Sequence, residues 1–357
     1  MRIAQVAPLY ESVPPRFYGG TERVVSYLTD ELVRQGHEVT LFASGDSRTL
    51  AELRPVCERA LRLEGKKIVD PLAHHLLMLE MVAQEAADFD IVHYHVDYLH
   101  FPVTRRLKIA SVTTLHGRVD IADVHPIYRE FREMPLVSIS NSQRGPIQWA
   151  NWIATVYHGL PEEMYVAQQT PGKYLAFLGR ICPEKRVDRA IEIAKRVGMP
   201  IKIAAKVDPA DLTYFEAEVR KLLDHPLVEY IGEIGEGEKS EFLGNAYALL
   251  FPIDWPEPFG LAMIEAMACG TPVIAFRMGS VPEIVEDGKT GYVVENLDEA
   301  VKAVERTRTL DRKLCRRIFD ERFSAGQMCR DYLAVYQQIC NREPDFNLGG
   351  DVISIAA

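Results

Sequence analysis

Glu257 and Glu265 are the two residues whose type and spacing most directly indicate chemistry in this sequence. They lie in Trp255-Pro-Glu-Pro-Phe-Gly-Leu-Ala-Met-Ile-Glu265, where an apolar run ends, a proline-rich loop follows, and a helix is predicted to begin around Phe259 to Gly260. The N–H groups at the start of a helix, together with the helix dipole, can bind an anion. A glycine at that point lets a ligand approach the backbone closely.

Each of these carboxylates has a chemical and a structural interpretation. Glu265 falls in the second turn of the predicted helix, where it can accept hydrogen bonds from vicinal ribose hydroxyls, and Glu257 can accept them from a sugar. Alternatively, Glu257 stabilises the helix dipole and Glu265 is an exposed helix residue. For either carboxylate taken alone, the structural interpretation is favoured.

Arg180 and Lys185 are the basic residues best placed to bind a phosphate. They belong to Phe177-Leu-Gly-Arg-Ile-Cys-Pro-Glu-Lys185, at the end of a predicted strand. The arginine can act as a fork and the lysine as a movable point charge, so together they can neutralise a diphosphate. Taken alone, the motif favours the structural interpretation, in which Arg180 and Lys185 are basic surface residues near a loop.

A glycine pair and a histidine are the candidates in the first half of the chain. Gly19 and Gly20, in Tyr18-Gly-Gly-Thr-Glu-Arg-Val-Val25, permit a tight backbone next to a phosphate or an acceptor, although a loop without ligand contact is the alternative. His116 follows a predicted strand, where side chains of parallel α/β sheets face a crevice. A lone histidine is more often structural, but this position and the following Gly117 favour a functional role.

Other polar residues at strand ends give weaker indications. His93 and His95 have metal-like spacing for a strand, but no third ligand is evident, so cleft-lining or core roles are expected and no metal site is predicted. Asn141-Ser142 and His158-Gly159 are further cleft candidates.

The elements that must position these residues form two successive series of strands and helices. The predicted strands are 3–7, 39–43, 91–93, 112–115, 136–139 and 155–156, then 174–178, 201–205, 228–231, 248–251, 272–275 and 292–294. Helical periodicity is clearest after Gly20, with a stop at Gly36, and at 187–197 and 261–268. The alternation predicts an α/β protein with two Rossmann-like domains facing a cleft.

Polar and periodic segments set the expected domain limits. Residues 1–168 are predicted to form an N-terminal domain and 169–325 a C-terminal domain, joined at the linker-like Gln168-Gln-Thr-Pro-Gly172. Residues 326–342 are expected to form a closing helix that packs back on the N-terminal domain. Residues 343–357 read as a poorly ordered tail.

Composition narrows the class of protein. The 357 residues carry a formal net charge of −10 and no basic block, which argues against nucleic acid as a partner. The densest basic clusters are Arg105-Arg106-Lys108 and Lys66-Lys67, and both are expected to lie on the solvated surface. The sequence shows no secretory leader and no stretch of about 18 apolar residues, so a cytoplasmic location without a strong membrane signal is expected. Six cysteines without paired spacing indicate reduced thiols.

Together, these motifs resemble the retaining glycosyltransferases of family 4, which have the GT-B fold and an E-x7-E signature. Glu257 and Glu265 match the two acids, and Phe259-Gly260-Leu261 matches the intervening turn. The runs Ala266-Met-Ala-Cys-Gly-Thr-Pro-Val-Ile274 and Gly279-Ser-Val-Pro-Glu-Ile-Val-Glu-Asp-Gly-Lys-Thr-Gly291 continue the likeness. One departure is Arg186, where the family often has glycine.

The resemblance implies a reaction and a set of roles. A nucleoside-diphosphate sugar, with a UDP-sugar favoured, would bind mainly to the second domain, and a hydroxyl acceptor mainly to the first. Transfer would retain the anomeric configuration and need neither metal nor cofactor. The implied catalytic residues are His116, Arg180, Lys185 and Glu257. The implied donor-binding residues are Gly19, Gly20, Arg180, Lys185, Glu257, Phe259, Gly260, Leu261 and Glu265.

Two other functions remain open at this point. A sugar-nucleotide 2-epimerase shares the two-domain architecture, and a non-catalytic sugar-nucleotide-binding protein could keep Glu265 and the basic pair. The acid signature favours transfer over epimerisation, and His116, Glu257 and both glycines weigh against a loss of catalysis. The acceptor, the sugar, the oligomeric state and any visit to the membrane surface are left open, with a soluble acceptor slightly favoured.

Overall fold

The structure of the chain is a computed structural model that describes residues 1–16, 19–62, 68–107 and 109–341. The expected tail at 343–357 lies outside these residues. So do Tyr18, Lys66, Lys67 and Lys108, which the sequence analysis named within larger motifs.

Two parallel sheets organise the described chain. The first has the strand order β3-β2-β1-β4-β5-β6-β7 and the second the order β10-β9-β8-β11-β12-β13. The strands of the first sheet are β1 (Arg2–Val6), β2 (Glu38–Ser44), β3 (Glu52–Cys57), β4 (Ile91–Tyr94), β5 (Ser111–Thr114), β6 (Leu136–Ser138) and β7 (Trp152–Thr155). The strands of the second sheet are β8 (Tyr174–Arg180), β9 (Ile201–Lys206), β10 (Val228–Gly232), β11 (Ala246–Phe251), β12 (Val273–Phe276) and β13 (Gly291–Val294).

Helices connect these strands and cover the sheets. The α-helices of the described residues are α1 (Gly20–Arg34), α2 (Pro71–Glu85), α3 (Phe101–Leu107), α4 (His125–Glu130), α5 (Val187–Val197), α6 (Leu212–Tyr214), α7 (Glu236–Gly244), α8 (Leu261–Ala268), α9 (Val281–Ile284), α10 (Leu297–Thr307), α11 (Arg312–Arg322) and α12 (Ala325–Cys340). The α/β prediction with two Rossmann-like domains facing a cleft is confirmed.

Apolar periodicity explains most of these elements. In α1, Leu28 and Leu32 lie one turn apart and are both fully buried, while Arg34 near its end is exposed. The strands β1 and β11 are buried on both faces and mostly apolar, because helices cover both sides of a parallel sheet. β3 was not predicted, since Arg54 and Pro55 interrupt its apolar pattern at the sheet edge.

The final helix returns to the first sheet. Backbone bonds from Leu160 N to Phe323 O (2.9 Å) and from Ala325 N to Leu160 O (2.8 Å) mark where the chain crosses back. Tyr336 on α12 then accepts a hydrogen bond from Gln5 on β1 at 3.0 Å. The helix therefore contributes side chains to the core under the first sheet.

The buried side chain of Arg312 stabilises the segment that connects the two sheets. Arg312, at the start of α11, donates to the carbonyl oxygens of Gln168 (2.8 Å), Gly244 (2.9 Å) and Ala246 (3.0 Å) and to the Thr271 hydroxyl (2.6 Å). Residue 168 lies in the segment expected to be a linker. The guanidinium thus ties the linker, α7 and β11 to one helix.

Two further expectations from composition can be compared with the fold. All six cysteines are free thiols, and four of them are buried. No helix within the described ranges is long and apolar enough to cross a membrane.

Candidate active site

A cavity of about 750 Å³ lies between the two sheets, and every residue named as a catalytic or donor-binding candidate lines it. Residues of the first half and of the second half both contribute to its wall. The candidates along it are Gly19, Gly20, His116, Arg180, Lys185, Glu257, Phe259, Gly260, Leu261 and Glu265.

The strand order explains why these distant residues meet. In the second sheet, the order reverses between β8 and β11, and in the first between β1 and β4. Such a switch point leaves a crevice beyond the carboxyl ends of the strands. Arg180 ends β8, and Glu257 lies in the loop between β11 and α8. Gly19 precedes α1, and His116 lies just beyond β5.

Lys185 and Glu257 form an ion pair in the cavity wall. The Lys185 ammonium contacts Glu257 Oε2, and the indole N–H of Trp255 donates to the same oxygen at 3.0 Å. The ammonium also lies 5.4 Å from the ring centre of Phe251 and 5.5 Å from that of Trp255. Two aromatic faces and one carboxylate therefore hold the cation.

Arg180 is the second cation on this wall. Its Nε lies 3.4 Å from Asp211 Oδ2, and its side chain is one-third exposed. The guanidinium is thus reached by solvent on the side chain's exposed part and lines the cavity. The pair Arg180 and Lys185 thus concentrates positive charge at one end of the second sheet.

Two glycines in the left-handed region lie at the loop that carries Glu257, Gly260 within it and Gly279 packed against it from the segment between β12 and α9. Gly260 has φ 87°, and a Cβ there would lie 2.7 Å from the Met263 side chain and 3.0 Å from Phe251. Gly279 has φ 54°, and a Cβ there would lie 2.3 Å from the Glu257 carbonyl oxygen. Both positions require glycine, which explains why the turn before α8 and the start of α9 carry it.

Glu265 is buried, so the interpretation of this residue as an exposed helix position is wrong. Its Oε1 accepts from Lys239 at 2.6 Å and from the Tyr165 hydroxyl at 3.4 Å. Lys239 also lies 3.0 Å from Glu236, which pairs with Arg23 of α1. Glu265 therefore belongs to a charged network that joins the two halves beside the cavity.

Gly20 brings α1 close to the second half, because a Cβ there would lie 3.8 Å from the Leu261 side chain. Gly19 packs instead within the first half, where a Cβ would lie 2.7 Å from the Pro15 side chain. Phe259, next to Leu261 on the opposite wall, packs its ring 4.7 Å from that of His158. The two halves thus meet at α8 without closing the cavity.

His116 belongs to a group of buried imidazoles. Its Nε2 lies 2.8 Å from His95 Nδ1, and its ring stacks on that of His158 at 5.2 Å with an 18° tilt. Burial lowers the pKa of His116 to about 3, so the imidazole is neutral at neutral pH. Its Nδ1 is buried and has no hydrogen-bond partner in the described structure.

The weaker candidates lie in three places: along the cavity, in the core of the first half, and where the two halves of the chain meet. His95 and His158 line the cavity, whereas His93 lies in the core with its two ring nitrogens 2.7 Å from Tyr336 and Thr114. Asn141 and Ser142 bond instead through their backbone N–H groups to the Glu283 carboxylate, both at 2.7 Å. These two residues therefore connect the two halves of the chain and are not part of the cavity wall.

Arg186 shows why a glycine suits its position. It has φ 52°, in the left-handed region, directly before α5. Its guanidinium forms ion pairs with Asp188 and Asp254, each at 2.8 Å, which favour the arginine in spite of the strained backbone. The loop after Lys185 therefore keeps a glycine-like shape.

Several residues of the cavity wall were given no role by sequence reasoning, among them Glu22, Lys239 and Trp255. Glu22 follows the glycine pair, and burial raises the pKa of its carboxyl to about 7. Trp255 was visible within the acid motif, but its contact with Glu257 was not. Lys239 lies on α7, which has little helical periodicity, so no sequence pattern marked it.

The described ranges contain no group of three or more histidine, cysteine, aspartate or glutamate side chains that could hold a metal ion. Asp88 and Asp90 have an Asp-x-Asp spacing. Asp90, however, accepts from the backbone N–H of Arg2 at 2.8 Å, and neither aspartate lines the cavity.

Two family profiles match the chain side by side. Residues 18–163 match the family described as Glycosyltransferase Family 4, and residues 166–319 match the one described as Glycosyl transferases group 1. The two matches meet between β7 and β8, where the chain passes from one sheet to the other.

Curated relatives agree with these profiles. N-acetyl-alpha-D-glucosaminyl L-malate synthase of Bacillus anthracis is 24% identical over 365 residues, which is 90% of this chain and 94% of that protein. D-inositol 3-phosphate glycosyltransferase of Mycolicibacterium smegmatis is 30% identical over 214 residues, which is 55% of this chain and 47% of that protein.

Solved structures share the fold. AviGT4, a glycosyltransferase involved in avilamycin A biosynthesis, has a TM-score of 0.75 at 23% identity, with 95% of this chain and 98% of that chain covered. HepE of Anabaena, in complex with UDP and glucose, has a TM-score of 0.72 at 16% identity, with 95% and 100% covered. With both halves matched and the two-sheet fold shared, the chain belongs to the glycosyltransferases of family 4 and has the GT-B fold.

Proposed function

We propose that this glycosyltransferase moves a sugar from a nucleoside-diphosphate sugar, with a UDP-sugar favoured, to a hydroxyl group of an acceptor. The observation that carries the proposal is the meeting of Arg180, Lys185, Glu257 and Glu265 with His116 around one cavity. Two cations, two carboxylates and a neutral imidazole suit the diphosphate, the ribose and the sugar of such a donor.

The charges on the second half support a diphosphate next to Arg180 and Lys185. Two cations in a partly enclosed cavity stabilise negative charge more strongly than they would in water. The start of α8, at Leu261, adds backbone N–H groups and a favourable dipole at the same wall. These groups would bind the donor and stabilise the charge that develops on the leaving diphosphate.

The carboxylates support the other parts of the donor. Glu265 sits deeper in the wall, hydrogen-bonded to Lys239, where it can accept from ribose hydroxyls. Glu257 lies beside Lys185, where it can accept from sugar hydroxyls next to the diphosphate. Solved structures of HepE of Anabaena contain UDP and UDP-glucose within the same fold, which supports a uridine nucleotide.

The proposed reaction is a direct transfer on one face of the sugar. The acceptor oxygen forms a bond to the anomeric carbon on the face from which the diphosphate leaves, while the bond from that carbon to the phosphate oxygen breaks. The proton of the acceptor hydroxyl passes to the departing phosphate oxygen. The configuration is retained, no protein nucleophile is needed, and Arg180 and Lys185 supply the positive charge that a metal ion would otherwise provide.

The proposal is tested by incubating the purified protein with a panel of nucleotide sugars, with and without sugar acceptors and with EDTA. We expect nucleoside diphosphate to be released only when an acceptor is present, EDTA to have no effect, and NMR of the product to show the anomeric configuration of the donor. Conversion of the donor to an epimer without an acceptor would contradict transfer. Loss of turnover in EDTA, or inversion, would contradict the metal-free retaining mechanism.

A thermal-shift panel of nucleoside diphosphates identifies the base. A ligand at 100 times its dissociation constant stabilises the folded protein by about 2.7 kcal/mol, so the preferred nucleotide should give the largest shift. Greater stabilisation by ADP or GDP than by UDP would reject the uridine nucleotide.

A further inference from the structure

A line of hydrogen bonds runs from His116 through the first sheet to the final helix. His116 Nε2 lies 2.8 Å from His95 Nδ1, and His95 Nε2 lies 2.8 Å from Gln5 Oε1. The other end of the same amide, Gln5 Nε2, donates to the Tyr336 hydroxyl at 3.0 Å. Gln5 and Tyr336 are fully buried and are not lining residues of the cavity.

The Gln5 amide gives this line a direction. With Nε2 donating to Tyr336, the amide oxygen faces His95 and can only accept, so His95 Nε2 carries a proton. Burial holds the pKa of His95 well below its ordinary value, so the ring is neutral and its Nδ1 is an acceptor. His116 must then donate to that atom from its own Nε2.

The continuation beyond Tyr336 has the same direction. Having accepted from Gln5, the Tyr336 hydroxyl donates to His93 Nδ1 at 2.7 Å, and His93 Nε2 donates to Thr114 Oγ1 at 2.7 Å. His93 and His95 thus each have one ring nitrogen that donates and one that accepts. Half a turn of the Gln5 amide would reverse every donor in the line, so the amide orientation determines the tautomers.

The consequence appears at the cavity. Because Nε2 of neutral His116 is the donor to His95, its Nδ1 has no proton and presents a lone pair. This Nδ1 is one of the buried side-chain atoms without a partner in the described structure, and His116 lines the cavity. A buried acceptor without a donor is costly, so a ligand that supplies a donor gains affinity.

We propose that Gln5 and Tyr336 are positioning residues that hold His116 in the tautomer whose Nδ1 accepts a hydrogen bond from a hydroxyl of the transferred sugar. This inference rests on the proposed function, and it specifies the donor further. The sugar must present a free hydroxyl to His116, since an ether or carboxylate oxygen there has no proton to give. The final helix thereby takes part in donor selection through the sheet.

The tautomer can be measured directly on the full chain without any substrate. Long-range ¹H–¹⁵N NMR of histidine-labelled protein distinguishes a protonated from an unprotonated ring nitrogen, and His116→Ala identifies the resonances. We expect the wild type to show an unprotonated Nδ1 and a protonated Nε2 at neutral pH. A protonated Nδ1 in the wild type would overturn the inference.

Three variants test the role of the line. Tyr336→Phe and Gln5→Met remove its polar atoms, while Tyr332→Phe is a matched control on the same helix. The Tyr332 hydroxyl is also buried but contacts Thr114 at 2.9 Å, at the far end of the line, so its removal leaves the bonds of Gln5 with Tyr336 and His95 in place. We expect Tyr336→Phe and Gln5→Met to populate both His116 tautomers and Tyr332→Phe to keep one. Identical tautomers in all three would contradict a positioning role.

Kinetics test the sugar hydroxyl. In the wild type, one deoxygenated analogue of the accepted nucleotide sugar should lose about a hundredfold in kcat/KM, because the bare Nδ1 is left unpaired. We expect that loss to shrink about tenfold in Tyr336→Phe and to persist in Tyr332→Phe. If no single deoxygenated analogue shows such a loss in kcat/KM, the proposed contact between His116 Nδ1 and a sugar hydroxyl is wrong. If the tautomer is as assigned but no nucleotide sugar is turned over, the proposed function fails and the positioning role stands.

Discussion

The Lys185 ammonium contacts the Glu257 carboxylate although the two residues lie 72 positions apart in the chain. Lys185 follows β8 and Glu257 follows β11, so the contact depends on these neighbouring parallel strands ending at one edge of the sheet. The carboxylate partly neutralises the cation. A bound diphosphate must therefore share Lys185 with Glu257 or displace the carboxylate toward the sugar.

Replacement of the cation tests its role in the reaction. Lys185→Met keeps most of the side chain's length but removes its charge, so developing negative charge on the leaving diphosphate loses one stabilising group. We expect kcat to fall by about 10²–10³, as when one preorganised charge-stabilising donor is removed from an active site. Steady-state release of nucleoside diphosphate measures the change.

A second lysine provides the control. Lys195 lies on α5, is 40% exposed and pairs only distantly with Glu192, at 3.8 Å. Lys195→Met should match the wild type in kcat and KM. A loss in Lys195→Met as large as that in Lys185→Met would show that the effect is one of general charge or folding.

Glu265→Gln should weaken nucleotide binding through the ribose. The neutral amide accepts less strongly than a carboxylate, so we expect UDP affinity to fall about tenfold, which corresponds to about 1.4 kcal/mol. Calorimetry with UDP and with 2′-deoxy-UDP identifies the contact, because the gap between the two ligands should narrow in the variant. An unchanged gap would place Glu265 away from that hydroxyl; Glu305→Gln, on α10, is the control.

The sequence predicted where the strands end, but it did not predict which side chains contact each other around those ends. Apolar runs located β8 and β11, and parallel strand order then places Arg180 and Glu257 at the same edge. The partners of Glu265 depend instead on tertiary packing of α7 against α8, and nothing in the pattern of α7 indicates Lys239. Single-residue burial, which makes Glu265 a wall residue, is likewise set by the whole fold.

The histidines show the same limit. His116 was placed at a strand end from the sequence, but its neutrality and its contact with His95 depend on burial and on the alignment of β4 with β5. Gln5 was not predicted to have a role, because a single glutamine in a mostly apolar strand forms no recognisable pattern. Its role follows from α12 returning to the first sheet and bringing Tyr336 to it.

His116 should influence turnover without adding a titration near neutral pH. Burial lowers the pKa of its imidazole to about 3, so the neutral form persists throughout pH 5–8. We expect His116→Ala to lower kcat more than it raises the donor KM, with the same shape of kcat/KM against pH as the wild type. Disappearance of an acidic limb in the variant, but not in the control His74→Ala, would contradict a neutral His116.

Arg312 should matter for stability rather than for chemistry. Arg312→Met leaves the carbonyl oxygens of Gln168, Gly244 and Ala246 without this donor in a buried place. We expect the free energy of unfolding to fall by about 3–5 kcal/mol, as for other broken buried networks. Urea unfolding followed by circular dichroism measures it. The exposed Arg317 on α11 provides the control, and equal losses in Arg312→Met and Arg317→Met would contradict the role.

Glu22 makes stability depend on pH in a direction set by its environment. Burial is the largest influence on its carboxyl and raises the pKa from 4.5 to about 7. The folded chain therefore holds this proton between pH 4.5 and 7 while the unfolded chain releases it, so the contribution of Glu22 to stability falls as pH rises through that window.

Glu22→Gln should remove this dependence. At pH 8 the variant should be more stable than the wild type by at most about 3 kcal/mol, and the difference should fade below the unfolded pKa, since 1.36 kcal/mol corresponds to a tenfold change in proton affinity. Unfolding at a series of pH values measures it, with the exposed Glu38→Gln as the control. A wild-type stability that rises relative to Glu22→Gln between pH 5 and 8 would mean that the carboxylate has a stabilising cationic partner when the chain is folded.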